Sequence, residues 1–300
     1  MNIVAEIQRL KKEKNAVILV HNYQLPQIQD IADFLGDSLG LSIKAAETEA
    51  DIIVFCGVRF MAETAKILSP NKLVILPEDA GCPMADMLTG LELEKIKAEH
   101  PKAKVLCYVN TSAEVKALSD ICCTSANSVK IAREAFSEDD EVIFVPDRNL
   151  AFYTQRETGR KFITTDGYCP IHADLTKEDV VRAREDHPKA DLIVHPECSP
   201  SVIDLADGVY STSGMLNYVR DCSKKDFIIG TEIGIIYRLE QDNPGKNFYP
   251  LSESAICHDM KKITLEKVLT ALEEGKGGVE LASDVITKAR GSIDRMLEYR

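Results

Sequence analysis

The chain has 300 residues, 45% of them hydrophobic and 28% charged, and a formal net charge of −12. This composition is typical of a globular protein with a large core, and the acidic balance excludes non-specific binding to nucleic acid or to an anionic membrane, because both require a basic face. No stretch reaches the roughly 20 apolar residues of a membrane span, and the N-terminus lacks the apolar segment of a secretion signal, so we expect a cytoplasmic protein with reduced cysteines.

The predicted elements repeat three times along the chain after an amphipathic helix over residues 1–15. Each copy begins with a short apolar strand, at 17–21, 105–109 or 191–195. A strand-like piece, a helix, a third strand, a second helix and a fourth strand follow, and a cysteine-containing loop and a charged helix close the copy. Short apolar runs that alternate with helical patterns predict parallel strands joined by right-handed crossovers.

A shift of 87 residues superimposes the copies, so that VILVHNY at 17–23 falls on VLCYVN and then on DLIVHPE. The coinciding positions are His21 with Tyr108 and His195, Tyr23 with Asn110 and Glu197, Asp33 with Asp120 and Asp207, and Ser38 with Ser125 and Thr212. This period is too long for a solenoid repeat, so each copy is interpreted as a small domain. The sequence therefore predicts the α/β class, with three homologous three-layer αβα domains that have parallel sheets and surround a central site with pseudo-threefold symmetry.

The predicted boundaries follow from this period. We expect the first α/β repeat, with its N-terminal helix, over residues 1–86, the second over 87–173 and the third over 174–261. Residues 262–300 are expected to form a C-terminal helical extension that closes the fold, with a strand at 278–282 before its last helix.

Three cysteines, Cys82, Cys169 and Cys257, follow one another at intervals of 87 and 88 residues. Zinc fingers place their ligands within a few residues of each other, so this spacing indicates instead one thiolate from each of three units around a shared metal. Three protein ligands leave one metal position open, which is typical of a Lewis-acid site. A closed zinc site completed by His172 or His258 is the alternative.

Polar residues follow the first and second strands of every copy. In open parallel sheets, ligands bind beyond the carboxyl ends of the strands, so we expect these residues at one shared site. Ser38, Ser125 and Thr212 are predicted at helix N-caps, where their hydroxyls and the free backbone N–H groups bind carboxylates or phosphate. The alternative is that these three hydroxyls only cap helices.

Several of these segments resemble the quinolinate synthase family, iron–sulfur enzymes of NAD biosynthesis. The similar segments are VHNYQLPQIQDIADFLGDSL, GCPMA, YVNTSAEVKA, CTSAN, PDRNLA, CPIH, HPEC, STSGM, GTEIG and CHDMKKITLEK, and they run from residue 17 to about 270. The resemblance implies three α/β domains around one 4Fe–4S cluster, with Cys82, Cys169 and Cys257 as its ligands and one iron left open.

The reaction that the resemblance implies is the condensation of iminoaspartate with dihydroxyacetone phosphate to quinolinate, phosphate and two waters. A separate enzyme would supply the iminoaspartate. Tyr23, His195 and Glu197 are then the candidate catalytic residues. The residues that would bind substrate are His21, Ser38, Tyr108, Val109, Asn110, Ser125, His172, His195, Pro196, Glu197 and Thr212. The chain departs from the expected pattern at Asp259, where an asparagine is expected before the Met-Lys pair.

Three other functions are compatible with parts of the pattern. A non-catalytic iron–sulfur sensor would need a complete ligand set and no acid/base residues. A zinc-dependent lyase or aldolase acting on a triose phosphate would contain zinc and no labile sulfide. A metal-free binding module would keep its ligand affinity after replacement of all three cysteines by serine.

Overall fold

The computed structural model describes residues 2–299, and within them twelve strands form three separate sheets of four parallel strands. This arrangement confirms the predicted α/β class with three parallel-sheet units. Met1 and Arg300, the outer ends of the first predicted repeat and of the C-terminal extension, lie outside the described residues. None of the helices between residues 2 and 299 combines the length and the hydropathy needed to cross a lipid bilayer.

The elements follow one another in the predicted order. The first unit contains α1 (Ile3–Glu13), β1 (Ala16–His21), α2 (Pro26–Gln29), β2 (Phe34–Gly36), α3 (Ser38–Glu47), β3 (Ile52–Cys56), α4 (Arg59–Leu68) and β4 (Leu73–Ile75). The second contains α5 (Gly90–Glu99), β5 (Lys104–Tyr108), α6 (Ala113–Ala117), β6 (Ile121–Cys123), α7 (Ser128–Glu134), β7 (Val142–Val145), α8 (Arg148–Thr158), β8 (Ile163–Thr164) and α9 (Pro170–Ala173). The third contains α10 (Lys177–Asp186), β9 (Asp191–Val194), α11 (Pro200–Ile203), β10 (Gly208–Val209), α12 (Thr212–Asp221), β11 (Asp226–Gly230), α13 (Gly234–Asp242) and β12 (Asn247–Pro250), and α14 (Leu265–Glu274) and α15 (Ser283–Leu297) follow it.

The three sheets share one strand order. The first strand of each unit lies between the second and the third, and the fourth occupies the far edge, as β2-β1-β3-β4, β6-β5-β7-β8 and β10-β9-β11-β12. The central strands are almost entirely buried; β9 has no exposed residue, and in β1 only Ala16 is partly exposed. This burial explains why the central strands are continuous apolar runs, which is the pattern of parallel strands covered on both faces.

The aspartates that coincide in the repeat, Asp33, Asp120 and Asp207, make the same contact in each unit. The Oδ2 atom of each accepts a hydrogen bond of 2.8 Å from a backbone N–H near the start of the central strand. The donors are Ile18, Val105 and Leu192. Each aspartate thereby fixes the entry of the second strand against the first, so the repeat is one of structure as well as of sequence. The exact domain boundaries remain a prediction.

The C-terminal segment differs from the prediction in one respect. Residues 278–282 do not form a strand, and only an isolated antiparallel bridge joins Gly278 to Ile75. Gly277, directly before the bridge, approaches the Leu76 carbonyl so closely, at a φ of +87°, that a Cβ would lie 2.4 Å from that oxygen, so only glycine fits here. Helix α15 then packs on α4, α6 and β6, which connects the first unit to the second.

Candidate active site

One cavity lies at the carboxyl ends of all three sheets. It brings together thirteen of the predicted site residues: His21, Tyr23, Ser38, Cys82, Tyr108, Asn110, Ser125, Cys169, His172, His195, Glu197, Thr212 and Cys257. Val109 and Pro196 are buried beside it but do not line it. The convergence arises from topology, because parallel strands in equivalent positions present their carboxyl ends to the same space.

His21 and His195 occupy equivalent positions and are oriented in the same way. The Nδ1 atom of each accepts a backbone N–H from two residues further on, from Tyr23 at 3.2 Å and from Glu197 at 3.3 Å. Burial lowers the pKa of both imidazoles to about 3, so both are neutral near pH 7. A neutral imidazole whose Nδ1 accepts a hydrogen bond carries its proton on Nε2. The Nε2 atom of His195 lies 3.1 Å from the Ser125 hydroxyl.

Glu197 is a buried carboxylate beside the imidazoles of His172 and His195. Its Oε2 lies 2.7 Å from His172 Nδ1 and 3.5 Å from His195 Nδ1. Burial alone would raise the pKa of Glu197, but the two histidines and hydrogen bonding from His172 and Tyr108 outweigh it and lower the pKa to about 2. Its other oxygen, Oε1, is buried and has no hydrogen-bond partner. Glu197 is therefore an ionised carboxylate with one oxygen free to accept a proton.

A continuous chain of hydrogen bonds joins Glu197 to Tyr23. His172 Nδ1 contacts the Glu197 carboxylate at 2.7 Å, and its Nε2 lies 2.7 Å from Thr231 Oγ1. The Thr231 hydroxyl lies in turn 2.5 Å from the Tyr23 hydroxyl. Burial, reinforced by the charge of Glu197, raises the pKa of Tyr23, so this phenol carries its proton. Two of the predicted catalytic residues are thus connected through a histidine and a threonine.

Other buried polar atoms near the cavity also lack partners. Among the described residues, Asn110 Oδ1 and Asn22 Oδ1 are buried without a hydrogen bond, although Asn22 Nδ2 donates to Thr212 Oγ1 at 3.0 Å. Buried polar atoms are nearly always paired, so such orphan acceptors indicate a place where water or a ligand binds. Asn110 lines the cavity, and its free carbonyl is available to a donor group of a bound molecule.

The predicted N-cap role of Ser38, Ser125 and Thr212 is wrong. Ser38 and Thr212 are the first residues of α3 and α12, and Ser125 lies three residues before α7. The N-caps of α3 and α12 are the preceding residues, Asp37 and Ser211, whose side chains accept from Gly40 N at 2.9 Å and Gly214 N at 3.2 Å. Because none of the three residues is an N-cap, the alternative that their hydroxyls only cap helices is wrong as well. All three residues line the cavity.

The three cysteines are free thiols on the cavity wall. Burial raises the pKa of each, that of Cys82 to about 12, and the charges of the neighbouring thiols contribute, with Cys257 acting on Cys82 and Cys82 on Cys169. Thiols that are buried close together need a cationic group to be held as thiolates. His258 is exposed and does not line the cavity.

A more compact set of potential metal ligands lies within the same site. It consists of Cys169, His172 and Glu197, each of which offers one ligand atom within 4.8 Å of the other two. The Nδ1 atom of His172 lies 3.1 Å from Cys169 Sγ. In the described part of the chain, the three cysteines do not form such a set. Their wider separation suits a multi-atom cluster better than a single ion.

Sequence reasoning missed Thr231, Asp147, Glu232 and Lys261. Asp147 and Glu232 follow the third strands, β7 and β11, and an acidic residue at that end of a buried parallel strand was the available signal. Lys261 forms an ion pair of 2.8 Å with the buried Glu232, and its charge adds to the effect of burial in lowering the pKa of His21. Nothing in the sequence distinguishes Thr231 from other strand-end threonines.

Comparison with known proteins gives matches along nearly the whole chain. The family described as Quinolinate synthetase A protein matches residues 5–298. The quinolinate synthase of Dehalococcoides mccartyi strain CBDB1 is 53% identical over 293 residues, which is 97% of this chain and 96% of the relative. That of Methanoregula boonei is 53% identical over 293 residues, with 97% and 96% coverage, and that of Thermodesulfovibrio yellowstonii is 52% identical over 297 residues, with 98% and 97% coverage.

Proposed function

The chain belongs to the quinolinate synthetase A family, and from this membership we propose that it forms quinolinate for NAD biosynthesis. The proposed reaction condenses iminoaspartate with dihydroxyacetone phosphate and releases phosphate and two waters. It requires one new carbon–carbon bond, one new carbon–nitrogen bond, an imine–enamine shift and two dehydrations. Each of these steps moves protons, so the site must hold acids and bases that work near neutral pH.

The residues present fit a 4Fe–4S cluster. Cys82, Cys169 and Cys257 are the cysteines that line the described cavity, one from each unit, and their buried thiols would be its ligands. When bound through three cysteines, such a cluster would supply one open iron as a Lewis acid, which suits the loss of hydroxide from a substrate.

The observation that best supports this proposal is the hydrogen-bonded chain from Glu197 through His172 and Thr231 to Tyr23. Oε1 of Glu197 accepts a proton from substrate carbon or nitrogen, because it is ionised and has no partner. The Tyr23 phenol carries a proton and donates it to a leaving or developing oxygen. His172 and Thr231 return the proton between these two ends, so one residue is reset while the other acts.

The anionic substrates are bound by neutral donors. Nε2–H of His21 and of His195, with the hydroxyls of Ser38, Ser125 and Thr212, would hold carboxylate and phosphate oxygens. Ser38 and Thr212 begin helices of ten residues, whose free N–H groups and dipole favour an anion at this end. Neutral histidines suit this role, because they donate a hydrogen bond to an anion and carry no charge of their own that would need a buried partner.

Iminoaspartate must be formed by another enzyme that oxidises the amine of aspartate, either an oxidase or a dehydrogenase. We propose a functional link to such an enzyme, because the proposed reaction consumes the imine as a substrate.

The test is an anaerobic assay of reconstituted protein with iminoaspartate and dihydroxyacetone phosphate, with quinolinate measured by chromatography. The Cys169→Ser variant is the control, and iron, zinc and labile sulfide are measured in both proteins. Quinolinate from the wild type and none from the variant supports the proposal. Zinc without sulfide would favour the lyase alternative, for which the Cys169, His172 and Glu197 set is the candidate site. Iron and sulfide without product would leave the sensor alternative.

A further inference from the structure

Two buried carboxylates occupy equivalent positions in the second and third units. Asp147 lies two residues after the end of β7, and Glu232 lies two residues after the end of β11. Both side chains are fully buried, and neither belongs to the chain of hydrogen bonds between Glu197 and Tyr23. A buried carboxylate is costly unless several donors surround it, so its partners indicate its purpose.

In each of these carboxylates, one oxygen accepts a hydrogen bond from a helix start and the other accepts one from a cysteine N–H. Asp147 Oδ1 accepts from Leu150 N at 2.7 Å, in the first turn of α8, and its Oδ2 accepts from Cys169 N at 3.1 Å. Glu232 Oε2 accepts from Gly234 N at 2.8 Å, at the start of α13, and its Oε1 accepts from Cys257 N at 3.1 Å. One oxygen therefore fixes a helix start, and the other holds the backbone of a cysteine.

The first unit has no carboxylate at this position, where Val58 stands and α4 has no side-chain cap. Its cysteine loop is held from another unit instead. Asp259, two residues after Cys257, accepts from Gly81 N at 3.1 Å, directly before Cys82. The same Oδ1 accepts from Lys262 Nζ at 2.6 Å. Each of the three cysteine loops is thus held at or beside its cysteine by one carboxylate.

We propose that Asp147, Glu232 and Asp259 are positioning residues that set the relative placement of the three cysteine sulfurs. The proposal rests on the cluster of the proposed function. A hydrogen bond at or beside the N–H of a cysteine restricts the backbone from which its Cβ and Sγ extend. The three contacts therefore limit the distances between the three sulfur atoms. Helix capping does not explain the arrangement, because only Asp147 is an N-cap whose side chain caps its helix, and capping needs only one of its two oxygens.

The substitution Asp147→Asn separates positioning from capping. Asparagine caps helices as well as aspartate does, so its carbonyl keeps the Leu150 contact. Its amide nitrogen then faces the Cys169 N–H, and that hydrogen bond is lost. Glu232→Gln removes the charge of the oxygen that binds both Cys257 N at 3.1 Å and Lys261 Nζ at 2.8 Å, so it weakens the hold on Cys257. Asp166→Asn is the matched control, because Asp166 is exposed and precedes Cys169 by three residues.

The readouts are the electron paramagnetic resonance spectrum of the reduced cluster, anaerobic transfer of cluster iron to a chelator, and thermal unfolding of the metal-free protein. We expect Asp147→Asn and Glu232→Gln to release iron about 10-fold faster and to change the spectrum, the scale typical of groups that orient metal ligands. Their unfolding midpoints should stay near that of Asp166→Asn. Wild-type release and an unchanged spectrum in both variants would overturn the proposal. Wild-type protein without iron and sulfide would refute the proposed function instead.

A second pair of variants covers the case in which these two proteins fail to fold. Asp259 uses one oxygen for Gly81, so Asp259→Asn keeps an acceptor there, whereas Asp259→Ala removes it. We expect near-wild-type iron release from Asp259→Asn and about 10-fold faster release from Asp259→Ala. Equal release from the two would contradict the positioning role.

Discussion

The two sides of the cavity differ in chemistry, although equivalent units form them. The titratable wall consists of Tyr23, Tyr108, His172, His195 and Glu197, whose side chains are coupled by hydrogen bonds and charge. The apolar wall consists of Val58, Phe60, Met61 and Met84, each no more than 5% exposed. In the proposed reaction, the titratable wall would move protons and the apolar wall would exclude water. Exclusion of water is also what lowers the pKa of the neighbouring histidines.

The largest effect is expected from Cys169→Ser, beside His172 at the titratable wall. Serine replaces a soft thiolate ligand by a poor one, so cluster and activity should both be lost while the circular dichroism spectrum stays that of the wild type. Iron and sulfide analysis checks the first part. A normal cluster in this variant would remove Cys169 from the ligand set.

Tyr23→Phe tests the far end of the titratable wall. The variant loses the hydroxyl that contacts Thr231, and we expect turnover to fall about 100-fold with normal cluster content, as for loss of a general acid. Tyr237→Phe is a suitable control, because it removes a tyrosine hydroxyl that contacts Asp30 and does not line the described cavity. Wild-type turnover per cluster in Tyr23→Phe would exclude Tyr23 from proton transfer.

His21→Gln tests whether water exclusion sets the charge state of the site. The pKa of His21 is about 3 in the folded chain against about 6.5 in an unfolded one, so the folded state binds fewer protons between these values. The contribution of the neutral His21 ring to the free energy of unfolding is therefore complete above about pH 6.5. It is lost as the pH falls toward 3, because the unfolded chain gains a proton that the folded chain does not. We expect the free energy of unfolding of the variant to fall less steeply on acidification than that of the wild type. The two slopes should differ by up to about 1.4 kcal/mol per pH unit. Parallel pH profiles from urea titrations would contradict the shifted pKa.

Phe60→Leu, on the apolar wall, should have the smallest effect. Leucine keeps the surface apolar but removes part of the packing, so we expect a rise in KM of about fivefold, equivalent to about 1 kcal/mol, with kcat nearly unchanged. Steady-state kinetics under anaerobic conditions separates the two constants. A fall in kcat comparable to that of Tyr23→Phe would show that the two walls do not differ in function.

The fold and most of the site could be predicted because they depend on regular patterns. Apolar runs of strand length located the central strands, and the 87-residue register placed His21, Tyr108 and His195 at equivalent strand ends that converge on the cavity. The family comparison then supported the identity that these segments indicated. The catalytic and substrate-binding roles of individual residues remain predictions.

The failures come from choices between chemically similar neighbours. Asp37 and Ser38 can both cap a helix, as can Ser211 and Thr212, and which of each pair caps depends on backbone angles that the sequence does not state. The strand expected at 278–282 is reduced to one bridge between Gly278 and Ile75. Thr231 was missed because its role depends only on the position of its hydroxyl between two distant side chains.

The most direct test of the division between the walls is quinolinate formation by Glu197→Gln, measured anaerobically per intact cluster. Glutamine keeps the shape of the side chain but cannot accept a proton in the way the carboxylate does. We predict normal iron and sulfide content and a turnover about 1,000-fold below that of the wild type. Turnover within a few-fold of the wild type at equal cluster content would contradict the assignment of proton transfer to the titratable wall.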